Sequence, residues 1–181
     1  MSVHNRLVFM AGIAVALMAS TLRAEIACES RMLPGEINFG SQNRGQMLDQ
    51  PVGSELTLGS RRTRLVIQCA APTHLSLAYI APAAGADSYR FGDGRVLLTL
   101  HNAQADGQEV LLAQKGAQTQ ASQELLLKPE QQLLFLQDGQ PVVATSFSLN
   151  VSIETRISPN ATRVRAPTVL ETRGYFQPFA W

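Results

Sequence analysis

FSLNVSIETRI, residues 147–157, decides the fold class. Phe147, Leu149, Val151 and Ile153 fall on one side of an extended chain, and Ser148, Asn150, Ser152 and Glu154 on the other. That period of two predicts a strand with one face in a core and one in water. RLVIQC, 64–69, repeats the pattern, with Leu65, Ile67 and Cys69 sharing the inward face. THLSLAY, 73–79, sets Leu75, Leu77 and Tyr79 together beyond an expected turn at Ala71-Pro72. INF (37–39) and ELTL (55–58) are shorter candidates; VLLTL (96–100) and EVLLA (109–113) are apolar enough to be buried on both sides. Turn signals punctuate these runs at Pro34-Gly35, in FGDG (91–94), at Asp106-Gly107 and at Asp138-Gly139. Many short strands with frequent turns predict an all-β sandwich. The polar stretch 115–123 reads as a loop, and 124–136 as a short helix or two strands meeting at Pro129.

The N-terminus reads as an export signal. MSVHNR carries one firm positive charge, Arg6, and the apolar run Leu7 to Ala19 is too short to span a bilayer. Leu22 and Ala24 suit the −3 and −1 positions of a cleavage site, with Ala19 as an earlier alternative. Cleavage after Ala24 removes 24 of the 181 residues and leaves 157, residues 25–181, a size for one domain with a full core. Thirteen basic residues then face 14 acidic ones, a balance that gives no footprint for nucleic acid or an anionic membrane. The one dense basic group, Arg61, Arg62 and Arg64, reads as a solvated turn. No membrane insertion is expected after cleavage.

Cys28 and Cys69 are the only cysteines, and in an exported chain they are expected to form a disulfide. Free thiols suit an oxidising compartment poorly, and no Cys or His near either residue completes a metal site. The chain holds three histidines, and His4 leaves with the signal. His74 is expected to face solvent opposite Leu75 and Leu77, and His101 ends a strand; neither has a nucleophile motif beside it. Asp87, Asp93 and Asp106 do not have the spacing of a calcium loop and read as turn residues. No catalytic group and no cofactor is expected. The Asn150 and Asn160 glycosylation patterns are short enough to arise by chance.

With these residues in place, the chain resembles bacterial fimbrial subunits of the chaperone-usher type, and most of all a fimbrial-like family of uncharacterised function. The likeness is carried by the signal, Cys28, GEINFG at 35–40, LVIQC ending at Cys69 and AAPT after it. It continues at the C-terminus in FSLNVSIETRI and VLETRGYFQPFAW, while residues 82–140 match only loosely. The resemblance implies an immunoglobulin-like sandwich that lacks its last strand. A periplasmic pilus chaperone would lend a strand to the groove, and another fimbrial subunit, delivered through an outer-membrane usher, would replace it by strand addition. It also implies that the chaperone grips the terminal carboxylate, here that of Trp181; core packing of the C-terminal rings is the competing account. Family C-termini end in an uninterrupted strand with an aromatic next to last, whereas Pro178 and Ala180 stand here. A strand containing Pro178 has to be an edge or bend there.

Cleavage after Ala24 leaves only Glu25, Ile26 and Ala27 before Cys28, too few for a donated strand. The expected protein therefore accepts a strand and does not donate one, and it sits at a fibre tip or stays in the periplasm. The alternative is a self-complete periplasmic or secreted sandwich that binds a small ligand or carbohydrate.

Overall fold

The computed structural model describes residues 27–43, 45, 47, 55–163 and 168–181. The expected signal, residues 1–24, and its cleavage site lie outside them. The fold is all-β: a curled antiparallel sheet whose two halves face each other as a sandwich. Its strands are β1 (Cys28–Leu33), β2 (Ser60–Ile80), β3 (Tyr89–Phe91), β4 (Gly94–Ala105), β5 (Gln108–Glu109), β6 (Leu111–Gln114), β7 (Glu124–Leu127), β8 (Leu133–Gln137), β9 (Gln140–Pro141), β10 (Val143–Arg156) and β11 (Tyr175–Ala180).

The alternation that predicted β10 is present: Phe147, Leu149 and Val151 are buried, and Ile153 packs against the same core. Leu65, Ile67 and Cys69 of β2 meet them, with Val96, Leu98 and Leu100 of β4, Phe135 of β8 and Phe176 of β11. The aspartate turns form as tight hairpins. Asp106-Gly107 and Asp138-Gly139 both have φ > 0 (47° and 81°, 51° and 78°), the conformation of two-residue loops whose twist matches the strands they join. Residues 124–136 are two strands, β7 and β8, and not a helix.

Several expectations are corrected. Ala71-Pro72 is no turn, because β2 runs through it for 21 residues. Ala144 pairs with Thr73 and Ser146 with Gln68, so residues 69–72 of β2 stand opposite Thr145 alone. β2 thus passes from one half-sheet to the other, and the missing N–H of Pro72 breaks no regular ladder. Residues 37–39 form no strand, and of 55–58 only Leu56 makes a bridge, to Ile157. In 96–100 burial alternates, with Leu97 and Thr99 half-exposed. Leu111 is likewise exposed between buried Val110 and Leu112. Arg61, Arg62 and Arg64 lie within β2: Arg61 sits 5.4 Å over the Phe39 ring, and Arg64 donates to Ser148 Oγ.

The disulfide Cys28–Cys69 joins β1 to β2, with Cα atoms 4.0 Å apart. Its 41-residue span restricts the unfolded chain by about 4 kcal/mol on the chain-entropy account. Such a bond fits an extracytoplasmic compartment, extracellular or periplasmic. No helix among the described residues is long and apolar enough to cross a membrane.

Candidate functional site

One margin of the sandwich stands out by how β2 is flanked. On one side β2 pairs with β10 along its first half and with β8 along its second. The remaining side takes β1 at Arg64–Cys69 and β11 at Leu75–Ile80, in opposite half-sheets. Among the described residues neither β1 nor β11 has a second ladder partner.

The direction of their free backbone groups follows from two bonds. Trp181 N–H donates to His74 O at 3.2 Å, and Ala70 N–H to Ala27 O at 3.0 Å. Antiparallel pairs alternate between bonded and non-bonded. Tyr175, Gln177 and Phe179 therefore turn their backbone groups toward β2, whereas Phe176, Pro178 and Ala180 turn theirs to the open margin. On β1 the outward set is Cys28, Ser30 and Met32. Pro178 is thus an edge-strand proline whose absent N–H costs the β2 ladder nothing, which satisfies the sequence expectation without a break in β11.

Across this margin the two strands touch. Cys28 and Met32 pack against the core, and Ser30 between them donates its hydroxyl to the Phe176 carbonyl at 2.8 Å. Phe176 is buried, tilted against the Tyr79 ring at 4.9 Å, and Tyr79 meets Tyr89 edge-on at 5.0 Å. Burial raises the pKa of both tyrosines, and for Tyr89 the neighbouring Tyr79 adds to the effect. The Tyr89 hydroxyl has no hydrogen-bond partner among the described residues.

Of the aromatic C-terminal residues only Phe176 belongs to the core. Tyr175, Phe179 and Trp181 are 58%, 36% and 53% exposed on the outer face. Trp181 stacks on His74 at 5.5 Å, and Lys115 Nζ approaches its ring at 6.0 Å. The Thr73 hydroxyl donates to the terminal Trp181 oxygen at 3.2 Å. His74 is consequently half-buried, with Nδ1 3.2 Å from the Val142 carbonyl, and not the solvent-facing residue the alternation suggested.

The other expected chemistry is dispersed. His101 Nε2 lies 2.9 Å from Ser152 Oγ on the outer sheet face, a contact the sequence reading missed, and no carboxylate bonds this histidine among the described residues. Asp87 lies 3.9 Å from Arg95, and Glu55 holds Arg95 through both carboxylate oxygens, raising its pKa. Among the described residues no three His, Cys, Asp or Glu side chains gather as a metal site. Two open hollows of about 390 and 300 Å³ share Arg90 and Gly92 at the end of the sandwich. No family model, curated protein or solved structure matches this chain.

Proposed function

We propose that the protein is a non-enzymatic fimbrial-like subunit whose β1/β11 margin accepts an extended strand from a periplasmic chaperone or a neighbouring subunit. The observation that carries the reading is the pair of strands on one flank of β2 that are singly paired among the described residues, with the backbone of Cys28, Ser30, Met32, Phe176 and Ala180 turned outward. Unpaired edges are the template for β-strand addition. The likeness to chaperone-usher subunits supplies the class of partner, and an immunoglobulin-like sandwich is its fold. In this reading Trp181 belongs to the chaperone contact, since its ring is exposed while Thr73 holds its terminal oxygen.

A second reading is a self-complete sandwich that binds a small ligand or carbohydrate. It is favoured by the Ser30 contact to Phe176, which draws the margin together over a buried ring.

One experiment separates them. An alternating Val/Thr segment is fused after Trp181 through a flexible linker, and the fused and unmodified forms are compared by gel filtration and thermal melting. Strand acceptance predicts that the unmodified protein self-associates and that the fusion is monomeric, with its melting point raised by about 6 °C, on the order of 2 kcal/mol. An unmodified protein that is monomeric and gains nothing from the fusion would overturn the proposal. A short polar tag after Trp181 that leaves chaperone co-purification unchanged would remove Trp181 from the chaperone contact.

A further inference from the structure

We infer that the Ser30 hydroxyl is a latch: it fastens β1 to β11 while no strand lies between them, and it has to release the Phe176 carbonyl before one enters. The inference rests on the strand-accepting reading and adds to it a barrier and a direction of entry.

Ser30 shares the inward parity of Cys28 and Met32, both of which pack against the core. A polar residue between two core-packing ones has no apolar role there. Its hydroxyl instead reaches an atom 146 residues away, the Phe176 carbonyl, at 2.8 Å. That carbonyl points out of the β11 ladder and is among the acceptors an added strand needs. Neighbouring strands lie 4.7–4.9 Å apart, so a strand paired with both edges holds them about 9.5 Å from each other. A serine side chain in direct contact with the opposite backbone cannot span that distance, so latch and strand exclude each other.

The rest of the edge gives the order of events. Pro178 offers a carbonyl and no N–H, whereas Ala180 offers both groups. An incoming strand therefore takes hold at Ala180 and meets the latch at Phe176 afterwards. Opening the latch exchanges one hydrogen bond for another and is a kinetic step, not a thermodynamic gain.

The test uses the full exported chain and a fluorescein-labelled peptide of nine alternating Val and Thr residues flanked by lysines, followed by anisotropy after mixing. Ser30→Ala is expected to raise the association rate about five-fold, the factor of one ordinary hydrogen bond, while Ser30→Thr keeps the hydroxyl and the slow rate. Protection of the Ala180 amide in hydrogen exchange is expected to appear before protection of Phe176. Near-UV circular dichroism of each variant establishes that it is folded. Equal rates for wild type and Ser30→Ala would overturn the latch and leave strand acceptance standing. A peptide that binds neither protein would overturn both.

Discussion

Asp106 shows how much a single turn residue fixes in this sheet. It occupies the left-handed region, φ 47°, in the hairpin between β4 and β5, and faces the register shift of β10 between Ala144 and Ser146. Its carboxylate accepts the Ser146 N–H at 2.8 Å, the Thr145 N–H at 3.1 Å and the Thr145 hydroxyl at 3.0 Å. Those bonds, the one from Ser146 foremost, hold its carboxyl below the ordinary aspartate range. The group is exposed, so solvent discounts the gain: Asp106→Asn is expected to lose about 1 kcal/mol. Asp106→Ala also removes the short polar side chain whose local hydrogen bonding lets aspartate tolerate the left-handed region, for a total of about 2 kcal/mol. Because the folded pKa is depressed, the stabilisation is complete above the unfolded value near pH 4 and is lost as the pH falls through the folded one. Urea unfolding of wild type and Asp106→Asn should therefore show a constant gap from pH 7 to about pH 5 that closes toward pH 2. A gap that persists in acid would mean the carboxylate charge is not what fastens the bulge.

At the scale of the element, β11 is an edge strand made poor at pairing by one residue. The bond from Trp181 N–H to His74 O fixes the alternation that turns Pro178 outward, so the ring removes a donor from the open margin and none from the β2 ladder. Pro178→Ala restores that donor. It is expected to tighten self-association three- to ten-fold, the factor of one hydrogen bond, with little change in melting temperature. Unchanged sedimentation together with a clear gain in stability would show that Pro178 faces β2 instead, where the restored N–H completes the ladder. The sequence made β10 and the inward rows of β2 legible because each has one wet face, which writes the period of two into the residues. β2 as one long strand was not legible: Ala71-Pro72 looks like a turn wherever the neighbouring ladder is unknown, and only the register with β10 reveals the crossing. Residues 37–39 and 55–58 failed as strands because three or four alternating residues carry too little pattern against the tertiary pairing that overrides it.

For the whole molecule, the candidate site depends on the return of the chain end to β2. Tyr175 pairs with Ile80 and Ala180 with Leu75, closing the second half-sheet with residues about a hundred positions apart in sequence. The aromatic terminus and the edge proline could be read from the sequence. Ser30 could not, because its role exists only once β1 and β11 share a margin, and nothing local to Cys28–Leu33 marks its acceptor. Gly174 decides whether that return is possible. A β-carbon there would overlap the Tyr79 hydroxyl and ring and stand 2.9 Å from the Ala81 side chain, just before β11 enters its ladder with Tyr175 opposite Ile80. Gly174→Ala therefore has to push β11 away from β2 or displace a ring that packs on both Phe176 and Tyr89. The expected cost is about 1–3 kcal/mol, the range of overpacking in a fitted core. Trp181, the one tryptophan in the chain, reports the event because it is stacked on His74 at the far end of the same strand. In wild type its fluorescence should change together with far-UV circular dichroism on heating. In Gly174→Ala the fluorescence transition should come first, as β11 detaches while the remaining sheet persists. Coincident transitions at the wild-type temperature would show that the margin accommodates the extra carbon, and that the seating of β11 does not depend on this close approach.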